Sequence, residues 1–248
     1  MQLASNTVLI TGGASGIGFA LAERFLRAGS EVIICGRREE KLAEARAKHP
    51  GLKTRVCDLA KETQRAALHK WVTNEFPRLN VLVNNAGIQR RVQLQLPEDL
   101  KWKPTHEEIA INLEAPVHLS ALFIPHLKKQ AHPAIMNVTS GLSFAPMANV
   151  PIYCATKAAL HSFTLSLRHQ LSPTPIRVIE IIPPAVNTDL GGPGLHTFGL
   201  PVEEFVNAVM VGLQEGSPEI AYGYSQRASR ASRAELDEIF QRMNQVAH

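Results

Sequence analysis

The chain has 248 residues, 45% of them hydrophobic and 19% charged, with a formal net charge of +4. That composition is too apolar for a disordered tail protein, and without a dense Lys/Arg block it excludes a nucleic-acid-binding signature. Three cysteines, Cys35, Cys57 and Cys154, are odd in number and lack CxxC spacing. They predict a reduced, cytoplasmic setting, and no signal peptide or membrane span is expected from the apolar runs present.

In chain order, Thr7–Thr11 reads as a buried strand, and Ile17, Leu21 and Phe25 recur every four residues, which predicts a helix stopped at Gly29. The turn between them is Thr11-Gly12-Gly13-Ala14-Ser15-Gly16-Ile17-Gly18. A pyrophosphate needs free backbone N–H groups, the positive end of a helix dipole and no Cβ in its path. Gly12, Ser15, Gly16 and Gly18 are therefore predicted to bind phosphate, although the GxxxGxG spacing differs from the general GxGxxG fingerprint. The second strand, Glu31–Cys35, ends in Gly36-Arg37-Arg38. An NAD site places an acid near this point to hold the ribose 2′-hydroxyl, whereas arginine suits a 2′-phosphate. With no acid at the strand tip, NADP(H) is preferred over NAD(H), with Arg37 the first phosphate partner and Arg38 beside it. A helix over 39–48 and a third strand over 54–57 follow. Asp58, with Leu59 next to it, is placed to accept from an adenine amino group, and also reads as the N-cap of a helix over 63–76.

Asn80–Asn84 is the fourth strand and leads into Asn85-Ala86-Gly87. A long helix is expected over 107–129, a fifth strand over 134–138, a helix over 152–171 and a sixth strand over 177–182. Alternating helices and buried strands predict a doubly wound parallel sheet in one domain spanning residues 1–248. A loop over about 188–202, containing Gly191-Gly192-Pro193-Gly194, is expected beside the site. A terminal helix over about 232–245 opens on Ser232-Arg233-Ala234-Glu235, which has capping-box spacing. Its stripe of Leu236, Ile239, Phe240 and Met243 must bury against something, and the pocket rim or a neighbouring subunit is expected.

Catalytic chemistry gathers on the predicted helix after the fifth strand. Tyr153 and Lys157 stand four apart on one face. A phenol near pKa ~10 is a poor acid–base catalyst at neutral pH, and a neighbouring ammonium is expected to lower it. Tyr153 then gives a proton to a carbonyl oxygen or takes one from an alcohol. Ser140, at the carboxyl end of the fifth strand, is placed to hydrogen-bond the same oxygen. No metal site is expected: His106-Glu107-Glu108 has alanine where HExxH needs its second histidine, and His161 and His169 have no third ligand. Arg227, Arg230 and Arg233 read as a solvated helix face.

Taken together, Thr11–Gly18, Asn84-Asn85-Ala86-Gly87, Ser140 and Tyr153/Lys157 resemble the short-chain dehydrogenase/reductase family over residues 5 to about 190. The stretch from Tyr153 to His169 is similar to the DltE-type bacterial oxidoreductases. The resemblance implies a Rossmann fold with strand order 3-2-1-4-5-6-7, a homodimer or homotetramer, and a small carbonyl or alcohol substrate. It also implies a catalytic role for Asn112 in a proton relay through Lys157. Lys157 would hold the nicotinamide ribose, Asn85-Ala86-Gly87 would line the cofactor, Ile17 would cover it, and Val186 and Thr188 would lie near its carboxamide. The chain departs from the family at Pro183-Pro184, where Pro-Gly is usual. A catalytically silent NADP(H) sensor on the same fold is the rival reading, and the presence of all four of Asn112, Ser140, Tyr153 and Lys157 argues against it. A sugar-nucleotide epimerase would show GxxGxxG and a longer C-terminal domain.

Overall fold

The apolar runs become strands because both faces of the sheet they form are covered. In a computed structural model, which describes residues 1–245 apart from 97 and 99, the central strand β1 (Thr7–Thr11) is buried at all five positions. The chain's last three residues lie outside the described residues as well. From β1 the chain alternates through α1 (Gly16–Arg27), β2 (Glu31–Gly36), α2 (Glu39–Lys48), β3 (Lys53–Val56), α3 (Glu62–Glu75) and β4 (Val81–Asn84). The second half runs α4 (Trp102–Ile109), α5 (Ala115–Leu127), β5 (Ala134–Val138), α6 (Pro151–Gln170), β6 (Arg177–Ile182), α7 (Val202–Glu215) and β7 (Glu219–Ala221). Two terminal helices follow, α8 (Tyr224–Ala228) and α9 (Arg233–Asn244).

The seven strands form one parallel sheet in the order β3-β2-β1-β4-β5-β6-β7. The order reverses between β1 and β4, the point where open α/β sheets leave a crevice at their carboxyl ends. Two apolar layers flank the sheet. On one side α1 and α7 bury Leu21, Phe25, Phe205 and Val209 against β1, β2 and β5. On the other, α3, α5 and α6 bury Leu68, Leu119, Phe123 and Leu167. A polar seam crosses the second layer, in which Asn84 donates to Asn137 (2.9 Å) and Asn137 donates to Thr164 (2.9 Å). These amides are buried, so each bond replaces water that the folded chain excludes.

The helix expected over 107–129 begins earlier and is broken. It starts at Trp102, with Pro104 in the first turn, where a missing N–H costs nothing. A π-helical turn over Ala110–Glu114 then inserts an extra residue before α5. Apolar spacing alone does not show this, because the phase shift moves only one turn. Asp58 is not the N-cap of α3: that position is Lys61, and Asp58 instead accepts from the Ala60 N–H at 3.1 Å. The terminal helix has its capping box, with Ser232 and Glu235 each bonding the other's backbone N–H.

Phe205 is fully buried between α7 and the sheet. Phe205→Ala should cost about 3–5 kcal/mol of unfolding free energy, read as a lowered denaturant midpoint with an unchanged slope.

Candidate active site

The glycine turn after β1 is shaped by close approach. Gly12 and Gly16 both adopt positive φ (64° and 55°), which glycine reaches without strain. Gly18 has ordinary φ, but a Cβ there would lie 2.4 Å from Asn85 Nδ2 and 2.5 Å from the Gly12 carbonyl. Asn85 is wedged beneath the turn and donates to the Thr11 carbonyl at 2.9 Å. The Thr11 hydroxyl accepts the N–H groups of Asn85 and Ala86 at 3.0 Å each. The glycines at 12 and 18 therefore let the end of β4 reach the start of α1, where a Cβ would meet Ala86 or Asn85.

A cleft of about 1210 Å³ opens at the carboxyl ends of the strands, and every cofactor-binding residue anticipated above lies on its wall. At one end of the cleft Arg38 donates to the Ser15 hydroxyl (3.2 Å), while Arg37 pairs with Glu107 of α4. Arg37 is thus turned toward α4, and it is Arg38 that reaches back to the glycine turn. Behind Asp58, the buried Arg65 donates to the Leu59 carbonyl at 2.8 Å and holds the loop that carries both residues. Thr188 packs on the glycine turn, its Cγ2 lying 3.3 Å from where a Cβ on Gly16 would stand. Val186 is held by a short parallel bridge to Leu200, with the Asn187 N–H on the Leu200 carbonyl (2.8 Å). Despite Pro183-Pro184, this end of the pocket is therefore ordered by backbone bonds, and the Pro183 carbonyl accepts from Gly141 at 2.9 Å.

Halfway along the cleft stand Ser140, Tyr153 and Lys157. Ser140 caps a 3-10 turn over Gly141–Ser143, its hydroxyl accepting from the Leu142 N–H (3.1 Å), and it favours ionisation of the neighbouring Tyr153 phenol. Lys157 Nζ donates to the Val138 carbonyl at 2.7 Å and lies 5.7 Å from the centre of the Tyr153 ring. Electrostatics here differ from the simple expectation. Burial pushes the Tyr153 phenol well up, with the Ser140 hydroxyl pulling the other way, and burial brings Lys157 down to about 8. Removing water penalises phenolate and ammonium alike, and Lys157 is engaged with a carbonyl rather than with the phenol. Tyr153 therefore holds its proton at neutral pH.

Asn112 is fully buried and is absent from the cleft wall. It sits in the π-helical turn, accepts from the Ile88 N–H (2.9 Å) and donates to the Ile88 carbonyl (2.8 Å) and to Thr156 (3.2 Å). A Cβ on Gly87 would lie 3.6 Å from both the Asn112 carbonyl oxygen and Lys157 Nζ, so the two side chains flank one glycine. The part of the cleft around Tyr153 is lined by apolar side chains. Leu142, Met147, Val150 and Leu190 surround Tyr153, and Leu195 and Phe198 come from the loop after β6. Met243 of α9 reaches the same cleft, and Asn244 fastens the helix to the rim by accepting from Ala148 (2.6 Å) and donating to Pro146 (3.0 Å). Arg65, Arg90 and Glu108 carry no motif and are not legible from spacing. The one clue for Glu108 is its place four residues before Asn112 on the same helical face. Among the described residues no group of three metal-ligating side chains gathers, and no helix is long and apolar enough to cross a membrane.

The short chain dehydrogenase family model matches residues 6–195. The chain belongs to that family. It is 50% identical over 249 residues, 98% of each chain, to the uncharacterized oxidoreductase DltE of Bacillus subtilis (strain 168). A short-chain dehydrogenase from Burkholderia cenocepacia J2315 in complex with NADP superposes with a TM-score of 0.85 at 25% identity, over 99% of this chain and 100% of that one. A 3-ketoacyl-(acyl-carrier-protein) reductase from Brucella melitensis complexed with NADH superposes with a TM-score of 0.81 at 25% identity, covering 90% and 99%. The protein is accordingly a nicotinamide-dependent oxidoreductase acting on CH–OH or C=O groups.

Because the Gly18 position touches both Asn85 and the Gly12 backbone, Gly18→Ala should weaken nicotinamide-cofactor binding by on the order of tenfold or more. Calorimetric titration with the cofactor, beside an unchanged far-ultraviolet circular dichroism spectrum, would check it.

Proposed function

We propose that this protein interconverts a small carbonyl compound and the corresponding alcohol using NADP(H), with Tyr153 as the acid–base group. The observation that carries this reading is one cleft that joins the glycine turn after β1 to a buried tyrosine and Ser140. The nicotinamide, when bound, supplies or accepts the hydride. Ser140 and Tyr153 converge on the substrate oxygen, so the proton that Tyr153 holds at neutral pH is in place to be donated as that oxygen gains charge. Lys157, next to Gly87, is placed to hold the nicotinamide ribose and to favour the phenolate that forms. Asn112 braces Gly87 from behind and belongs to the same relay. Apolar side chains around Tyr153 exclude water from the reacting atoms.

The preference for NADP(H) rests on Arg37 and Arg38 at the tip of β2, where no acid stands. Asp58 and Leu59 face the adenine, and the loop over 188–202 with α9 bounds the substrate. Exposed Leu165 on α6 and Trp102 on α4 support a homodimer or homotetramer built on the long helices. Three buried free cysteines fit a reducing cytoplasm.

A panel of aldehydes and ketones, followed by the absorbance of NADPH, should reveal turnover in the wild type. Tyr153→Phe should bind NADPH normally and lose nearly all of that turnover, since packing is kept and the transferable proton is gone. Comparable turnover in the variant would refute the assignment. Wild type should also bind NADPH more tightly than NADH, and Arg37→Asp should reverse the order. A charge-assisted contact is worth roughly 1.5–3 kcal/mol, about tenfold to a hundredfold in affinity. Arg38→Asp, measured alongside, separates the two arginines, and equal affinities in the wild type would remove both from the specificity argument.

A further inference from the structure

Glu180 is a fully buried acid on β6 that belongs to none of the groups assigned above. A buried carboxylate is costly unless it is paired and hydrogen-bonded. Glu180 has two such partners. His161 Nδ1 of α6 lies 2.9 Å from each carboxyl oxygen, and the Thr139 hydroxyl donates to Oε1 at 2.7 Å. The Ile181 carbonyl stands 3.4 Å from the same hydroxyl, so its one proton goes to the nearer carboxylate. The hydrogen bond to Glu180 holds the His161 imidazole above its ordinary value and favours the imidazolium, with Glu219 of β7 adding to the effect and burial and Arg168 of α6 opposing it. His161 stands one turn beyond Lys157 and two beyond Tyr153, so a single stripe of α6 carries all three. A buried ion pair contributes little to stability by itself, because apolar side chains of similar volume would fill the space as well. Its purpose lies in what it holds.

Thr139 immediately precedes Ser140. The Thr139 N–H donates to the Ile181 carbonyl (2.9 Å) and the Gly141 N–H to the Pro183 carbonyl (2.9 Å), so the backbone on both sides of Ser140 is gripped from β6 and the residue after it. Glu180 adds a side-chain clamp on the first of these residues. At the far end of the turn that Ser140 caps, the Phe144 ring meets the His161 ring edge-on, with centroids 4.7 Å apart. His161 thus touches the clamp and the end of the turn at once. We propose that His161 and Glu180 are positioning residues for the reaction: Glu180 fixes Thr139 and with it the direction of the Ser140 hydroxyl, while His161 holds Glu180 and braces the turn through Phe144. The inference rests on the reading in which Ser140 and Tyr153 converge on the substrate oxygen. Neither His161 nor Glu180 lines the cleft, so both act through Ser140. A hydroxyl let loose from its place no longer meets the substrate oxygen squarely as charge develops there. The glycine turn after β1 lies apart from the clamp, so the loss falls on turnover and leaves cofactor binding as it is.

The test follows carbonyl reduction at saturating NADPH in variants of the full chain. Thr139→Val removes the hydroxyl at nearly constant volume. It should lower kcat by on the order of tenfold with KM for NADPH unchanged, and Thr139→Ser, which keeps the hydroxyl, should recover most of that loss. If Thr139→Val does not fold, Thr139→Ala should show the same loss of kcat. The double variant His161→Leu/Glu180→Leu exchanges the pair for apolar side chains. It should keep or raise the thermal midpoint and still lose kcat by a similar factor. A pair that served only the fold would give the reverse, a lowered midpoint with kcat unchanged. If the Thr139 variants and the double variant fold and turn over like the wild type, while Ser140→Ala and Tyr153→Phe are inactive, the proposal fails and the catalytic reading stands. If Ser140→Ala keeps wild-type turnover, the role of Ser140 fails and takes the proposal with it.

Discussion

The side-chain amide of Asn85 beneath the glycine turn is the contact on which the site depends. It ties the end of β4 to the end of β1 by donating to the Thr11 carbonyl, and only a glycine at position 18 leaves it room. These two strands are neighbours at which the chain order reverses. Helices leaving them go to opposite faces, and a crevice opens between. Had the turn carried side chains, the two strand ends would stand farther apart. The same knot fixes where Ala86 and Gly87 pass, and Gly87 in turn sets the distance between Asn112 and Lys157.

Burial does the electrostatic work further in. Lys157 is drawn down, Tyr153 up and Glu108 up, and in each case removal of water is the largest cause. One physical effect therefore makes the cleft a place where charge is costly in the resting protein. The polar groups that do lie there, such as the Ser140 hydroxyl and the Val138 carbonyl, are already oriented by backbone geometry. Such preorganisation spares the reacting groups a rearrangement at the moment charge develops.

The rim of the cleft opposite the glycine turn is built by segments that come late in the chain. The loop after β6 returns to pair Val186 with Leu200, which places Leu195 and Phe198 over the cleft. The last helix adds Met243, and Asn244 locks it to the rim beside the turn that follows Ser140. Tyr153 and Lys157 thus come from α6 and Ser140 from the end of β5, whereas the loop after β6 and the final helix form the facing rim.

Much of this was readable from residue order. The alternation of strands and helices, the glycine turn, the Tyr153/Lys157 pair and the Ser232 capping box all depend on local periodicity, backbone freedom or short spacing, which a linear chain displays directly. The π-helical turn at Asn112 was not readable, because one inserted residue shifts the helical phase without altering composition. Neither was the turning of Arg37 toward Glu107, nor the role of Arg65 behind Leu59, since each depends on a partner from another part of the chain. The charge states of Tyr153, Lys157 and Glu108 were beyond sequence for the same reason. Residue type supplies the ordinary pKa, but the loss of water that moves it exists only when strands, helices and loops far apart in sequence close over the group.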